Sequence, residues 1–271
     1  MNSGRYESHL KYGSQLLPFI CRHDTVSANT VFSPHWHENI ELLHCIGGEG
    51  VIIVNGESYP FIAGDIIAVN PNEIHFIGSD STVSYDCLII FEEFCKQNGI
   101  ETNKSQIVTA INDTRCSKLH RDACAAFRSN TTMQITETRL KILTLLYTLY
   151  THHSVPATHK SDNTMDAIKE SIRFIIEYAT TPLTLDNAAK KAHLSRFYFS
   201  KKFKQITGKS FTEFLNEQRC HHAIEYIQQN LTVAEAGFQA GFSDPAYFSR
   251  VFKKYIGISP SQYRQQVTIT V

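Results

Sequence analysis

The chain has 271 residues, of which 42% are apolar and 11% aromatic, with 26 basic residues balanced by 26 acidic ones. That composition excludes a largely disordered chain, and the length points to two domains. No apolar run approaches the roughly 18 residues of a membrane span. The opening MNSGRYESHLKYGSQ lacks the basic start and apolar stretch of a secretory leader. A cytoplasmic protein with no membrane partner is expected. Seven cysteines, at 21, 45, 87, 95, 116, 124 and 220, contain no C-x-x-C pair. Their odd number fits reduced thiols.

The neutral total conceals an asymmetry. Residues 1–164 carry 12 basic and 17 acidic side chains, a net of −5, and the remainder carries 14 and 9, a net of +5. An acidic half joined to a basic half suggests that the second half meets a polyanion.

Short β-rich runs come first: Leu16–His23, Ile40–Ile46, Val51–Val54, Ser58–Ile62, Ile66–Val69, Ile74–Ile77 and Ser84–Phe91. Asn55-Gly56 is a two-residue hairpin signal, and Gly47-Gly48 and Ala63-Gly64-Asp65 mark further turns. Many short strands with regular breaks predict a small barrel or sandwich.

Inside that pattern lies PHWHENIELLHCIGG. His35 and His37 are two apart, so a strand would aim both imidazoles to one face. Glu41 follows, and His75 comes about two strands later. Such a set could hold Zn, Mn, Fe or Ni, or line a pocket that orients an organic ligand. The spacing resembles the first cupin motif, His-x-His-x3-Glu-x6-Gly, ending at Gly48. The second motif is similar in Gly64, Pro71 and His75, with Glu73 in place of its glycine. The expectation is an organic effector bound by His35, His37, Glu41 and His75, with no resident metal and no cofactor.

Arg115–Arg128 and Thr136–His152 read as helices. In the second, Ile142, Leu145, Leu146 and Leu149 form one apolar stripe, and Leu143, Tyr147 and Tyr150 form another. Two stripes suggest two partners, the barrel and a second protomer, hence a homodimer. Residues 154–164, SVPATHKSDNT, read as a linker. The domains expected are 1–153 for sensing and dimerisation and 165–271 for DNA binding.

The tail repeats itself. At an offset of 48, Leu183-Thr184-Leu185 meets Leu231-Thr232-Val233, and Ala188, Ala192, Leu194 and Ser195 meet Ala236, Ala240, Phe242 and Ser243. After Pro245 the offset becomes 49, and Phe199, Phe203 and Lys204 meet Phe248, Phe252 and Lys253. Each copy reads helix, tight turn, helix, with Thr184 and Thr232 capping the first helices and Ser195 and Ser243 the second. The paired phenylalanines are core positions. The opposite face carries Arg196, Phe197, Ser200, Lys201 and Lys204 in one copy and Pro245, Ala246, Ser249, Arg250 and Lys253 in the other. A basic, hydroxyl-bearing second helix suits the major groove of double-stranded DNA. A helix over about Phe211–Gln229 would hold the copies at a fixed separation.

The stretch GFSDPAYFSRVFKKYIGISPSQYR, Gly241 to Arg264, resembles the signature of AraC-type transcription regulators. The resemblance covers Met165–Arg264 and extends to the cupin-like half. It implies an α+β chain: a cupin-like β-barrel with helices that senses a small molecule and dimerises, then an all-α domain with two helix-turn-helix units. Two positions depart from the family. Ala236-Gly237 replaces an aliphatic-Ala pair, which predicts a soft helix. His193 replaces a turn glycine, which predicts a left-handed residue.

These readings describe a sequence-specific transcription regulator, an activator rather than an enzyme, with RNA polymerase among its expected partners. Two alternatives stay open at this point: a metal-dependent cupin enzyme with a DNA-targeting tail, and a regulator controlled by a protein partner.

Overall fold

The computed structural model describes residues 18–27, 30–31, 34–129, 131–157 and 163–269. These fall into two compact units that divide at Lys160 and Ser161. In chain order the first unit holds β1 (Phe19–Val26), β2 (Thr30–Val31), β3 (Ile40–Gly47), β4 (Glu49–Val54), β5 (Glu57–Ile62), β6 (Ile66–Val69), β7 (His75–Ser79) and β8 (Val83–Ile90). Then follow α1 (Glu92–Gln97), β9 (Ser105–Ile107), β10 (Ala110–Ile111), α2 (Thr114–Arg128), α3 (Gln134–His152) and β11 (Ser154–Pro156).

The strands form two antiparallel sheets, ordered β1-β8-β3-β6-β10 and β2-β7-β4-β5, with β9 and β11 paired separately. Asn55 and Gly56 both take positive φ, 52° and 84°, which closes the tight β4–β5 hairpin with Val54 opposite Glu57. Period-two alternation then splits β3 between two cores. Leu43 and Cys45 face Ile52, Phe61, Ile67 and Ile89 in the lumen between the sheets. Ile40 and Leu42 face outward, where Cys124 of α2 and Ile142, Leu145, Leu146 and Leu149 of α3 cover them. The result is a cupin-like barrel with a helical layer on one sheet.

Two boundaries differ from expectation. Ser154–Pro156, expected as linker, pairs with β9 and so belongs to the barrel unit, while α4 begins at Asn163. Residues 158–162 of the expected linker, and 16 and 17 of the first expected strand, lie outside the described residues. Leu146, Leu143 and Tyr150 all pack on the helical side of the barrel, so the two expected stripes of α3 are largely one wide buried face.

The second unit is helical: α4 (Asn163–Glu177), α5 (Leu185–Lys191), α6 (Arg196–Thr207), α7 (Phe211–Gln228), α8 (Val233–Gln239), α9 (Pro245–Ile256) and α10 (Pro260–Ile269). Thr184 and Thr232 close reciprocal capping boxes with Asn187 and Glu235. Ser195 caps α6. Its counterpart is Asp244, which accepts from the Tyr247 N–H at 2.7 Å; Ser243 lies one residue outside the helix. The inserted residue that shifts the repeat therefore falls before Pro245. Phe199, Phe203 and Phe214 pack in tilted and edge-to-face contacts in one core, and Phe242, Phe248, Phe252 and Tyr263 do so in the other. Within this second unit, Arg219 of α7 ties the two helix-turn-helix repeats together through one side chain: it donates to the carbonyls of Ala179 and Thr181, before α5, and lies over the Phe242 ring.

Candidate functional site

The largely apolar lumen of the barrel holds a polar cluster, with the Arg22–Asp24 ion pair of β1 on the same face. The β3 alternation that places Leu43 inside also places Glu41 inside, where its side chain is almost fully buried. His35 pairs with His75 through a two-way backbone bridge, N–H to carbonyl at 3.1 and 2.9 Å, and their rings lie 4.2 Å apart. The ring of His37 lies 5.2 Å from that of His75. All four sequence-predicted residues are thus brought together. His37, Glu41 and His75 are sealed from solvent, and His35 is half-buried. Trp36, between the two histidines, is buried as a packing residue.

Glu41 Oε2 accepts from His37 Nε2 at 2.8 Å and from His75 Nε2 at 3.2 Å. On the far side of each ring, Nδ1 donates to a carbonyl, of Asn39 at 3.1 Å and of Glu73 at 3.0 Å. A carbonyl only accepts, so both Nδ1 atoms carry protons and both Nε2 atoms converge on one carboxylate oxygen. Burial pushes the Glu41 carboxyl up, but the two imidazoles outweigh it and hold it well below the usual range. Burial lowers His75, and the Glu41 carboxylate more than restores it, leaving it raised.

Two functional neighbours escaped sequence reasoning. Cys87 donates its thiol to Glu41 Oε1 at 3.1 Å, and its burial beside that carboxylate raises the thiol well above its ordinary value. Period two along Ser84–Phe91 carries the signal, since Tyr85, Cys87 and Ile89 share the lumen face. Glu73 stands where a cupin motif has glycine, yet it is no defect. Its carboxylate accepts from Asn70 N at 2.7 Å and Asn55 Nδ2 at 3.2 Å, pinning two turns, and its carbonyl orients His75.

In the second unit every expected DNA-facing residue reaches solvent. Ser195, Arg196, Phe197, Lys201, Lys204, Ser243, Pro245, Ala246, Ser249, Arg250 and Lys253 are exposed, and Ser200 is half-buried. Their partners on the opposite faces, Phe199, Phe203, Phe248 and Phe252, are buried. Phe197 is 81% exposed at the start of α6, a large apolar side chain with no core to fill. Arg250 lies over the Tyr247 ring at 5.8 Å, and Arg196 pairs with Asp186 at 3.2 Å. The tight turns match as well. His193 takes φ 53° where Gly241 takes φ 94°.

Gly237 is buried in α8, and a Cβ there would lie 2.6 Å from the Phe248 ring. The glycine expected to soften this helix instead lets α8 and α9 approach. A groove of about 260 Å³ opens beside it, walled by Val233, Phe238, Phe242 and Pro245.

A barrel with a buried polar cluster, followed by two matched helix-turn-helix units, defines a transcription regulator with a sensing domain. Residues 188–266 match the family model described as a helix-turn-helix domain, and residues 17–131 match that of the AraC-like ligand binding domain. The Msm operon regulatory protein of Streptococcus mutans is 26% identical over 245 residues, 87% of this chain and 87% of its own. The HTH-type transcriptional activator RhaR of Pectobacterium carotovorum is 26% identical over 254 residues, again 87% of each. A crystal structure of ToxT from Vibrio cholerae aligns with 93% of this chain and 98% of its own at 18% identity, with a TM-score of 0.42. The chain belongs to the AraC-type family of transcription regulators. Among the described residues no helix is long and apolar enough to cross a membrane.

Proposed function

We propose that this chain activates transcription in the cytoplasm as a homodimer, reading DNA with α6 and α9 under control of an organic effector in the barrel. The observation that carries the DNA half is the doubling of one exposed face. Lys201 and Arg250 hold equivalent places on two recognition helices whose opposite faces are packed by equivalent phenylalanines. Arg and Lys donate to guanine O6 and N7 in the major groove. Lys204 and Lys253, further along each helix, suit phosphates. Phe197 stands where the second helix-turn-helix repeat has Ala246, so the two repeats would read different base sequences, with Phe197 suited to a thymine methyl. The 18 residues of α7 span about 27 Å, of the order of the ~34 Å between successive major grooves. An activator so placed would also meet RNA polymerase.

Binding to its promoter DNA tests the face. Lys201→Ala and Arg250→Ala should each cost about 1–3 kcal/mol, and Lys204→Ala and Lys253→Ala should each lower the salt slope by about one. Unchanged binding in all four variants rules the face out.

The effector half rests on the only slightly open edge of the polar cluster, where His35 is less buried than its three partners. An effector carrying hydrogen-bonding oxygens would enter beside His35 and compete for His37, Glu41 and His75. One observation favours a second reading, a divalent cation in the same place. Two Nε2 atoms aimed at one carboxylate, each with Nδ1 fixed by a carbonyl, is the outer arrangement of metal-bound imidazoles, and His35, Glu41 and His75 offer ligand atoms within 4.8 Å of one another. Elemental analysis of untagged protein separates the two. Stoichiometric metal that is lost in His75→Ala, with DNA binding lost on chelation, favours the cation, and an effector response that survives chelation favours the organic ligand.

A further inference from the structure

A second group of metal-ligating side chains lies outside the lumen, where the ends of α2 and α3 meet. Asp113 caps α2, and its Oδ1 alone accepts from the N–H groups of Arg115, at 2.8 Å, and Cys116, at 3.4 Å. Its Oδ2 is left to face His153 Nε2 at 2.8 Å. His153 is the C-cap residue of α3, held by its N–H to Leu149 O and by its carbonyl from Val108 N. Cys116 is fully buried in the first turn of α2. The three ligand atoms, a carboxylate oxygen, a thiol sulfur and an imidazole nitrogen, lie within 4.8 Å of one another. A helix cap needs one carboxylate oxygen, and an Asp–His pair needs no sulfur. The convergence of all three donor types is the feature to be explained.

We propose that Asp113, Cys116 and His153 hold a zinc-type divalent ion, with water as the fourth ligand, that clamps the start of α2 to the end of α3. Ligand bonds of about 2.0–2.3 Å in a tetrahedral site set neighbouring donor atoms about 3.4–3.6 Å apart. Oδ2 and Nε2, now 2.8 Å apart, would therefore separate by roughly 0.6–0.8 Å, a small rotamer adjustment for side chains 29% and 23% exposed. A thiolate with an imidazole selects zinc-like ions over magnesium or calcium. Burial pushes the Cys116 thiol up to about 11, with Asp113 adding to the rise. The ion must displace that proton, and the positive end of α2 favours the thiolate that results. The clamp would sit where the chain leaves α3 through β11 toward the DNA-binding unit, so its occupancy would stiffen that exit independently of the effector.

Cobalt(II) titration of the full chain is the test. Cys87→Ser serves as background, because Cys87 is the thiol that contacts the Glu41 cluster. One equivalent of cobalt should produce a thiolate-to-metal charge-transfer band and the intense visible bands of a tetrahedral ion, and zinc should displace it. Adding Cys116→Ser should abolish the charge-transfer band. Asp113→Asn keeps a helix-capping side chain, so the unit still folds. Its cobalt affinity should nevertheless fall beyond the roughly 10–100-fold that loss of an outer-shell partner costs. Melting curves of the metal-free variants report folding separately. No charge-transfer band at millimolar cobalt, or a band that survives Cys116→Ser, overturns the proposal.

Discussion

A glycine inside a helix ordinarily costs about 1 kcal/mol relative to alanine, so propensity alone says that Gly237→Ala should stabilise the chain. The structure reverses the sign. The new Cβ would lie 2.6 Å from the ring of Phe248, a buried aromatic packed against Phe242 and Phe252. Overpacking of that kind costs about 1–3 kcal/mol. Urea denaturation of Gly237→Ala should show a net loss, and a gain would mean that the ring moves aside freely. Asp86 is the other residue whose environment decides its behaviour. Burial pushes its carboxyl up, but hydrogen bonds from Arg128 and His23 outweigh that and hold it below the ordinary value. A carboxyl depressed in the folded state contributes stability that is present above its unfolded value, near 3.9, and is lost as pH falls through the folded value. The barrel unit should therefore lose stability below about pH 4. Asp86→Asn should cost on the order of 1–3 kcal/mol at neutral pH and much less at pH 3. Denaturation curves at the two pH values check this, and an equal loss at both would contradict it.

At the scale of the element, α3 shows why two apolar stripes do not mean two equal interfaces. Leu146 has no exposed surface and packs on the barrel, along with Leu143 and Tyr150. What remains outward is narrower: Met133, Leu140 and Tyr147, seven residues apart and 60%, 61% and 68% exposed. Seven-residue spacing is the seam of a helix that pairs with a second helix. Leu140→Asp or Tyr147→Asp should shift the proposed homodimer toward monomer in light scattering while the melting temperature of the barrel unit barely moves. Leu146→Asp should do the opposite and unfold the unit, since full burial of a leucine is worth about 1.5–3 kcal/mol before the cost of the charge. If Tyr147→Asp leaves the molecular mass unchanged, the seam lies elsewhere. The helix-turn-helix elements were legible in the sequence almost to the residue, with Thr184, Thr232 and Ser195 as caps. Ser243 misled because capping was read from residue type at a fixed offset; backbone geometry gives the cap to Asp244, next to Pro245 at the first helical position.

At the scale of the whole molecule, a ligand that binds only the folded barrel raises its stability by about 2.7 kcal/mol at a hundredfold excess over Kd. A thermal-shift screen of sugars, organic acids and metabolites should therefore find a compound that raises the melting temperature of the chain and loses that effect in Glu41→Gln. A compound whose shift is the same in both proteins binds outside the cluster. The same ligand can change DNA affinity only by the difference in its affinity for the barrel's two states.

The sequence by itself determined the two-part organisation, the strand-rich first half, the repeated helix-turn-helix and the four residues His35, His37, Glu41 and His75. Each of these depends on short-range periodicity, turn chemistry or self-similarity, which the chain carries locally. Only the tertiary structure decided what those residues touch. Cys87 reaches Glu41 across 46 positions of sequence, Glu73 pins turns 3 and 18 residues away, and Asp113 meets His153 across 40. Gly237 faces a ring on the next helix, and Leu146 and Tyr147, adjacent in sequence, take opposite fates on α3. Such pairings depend on how sheets and helices stack, and hydrophobic periodicity gives the direction of a face without saying which neighbour will cover it.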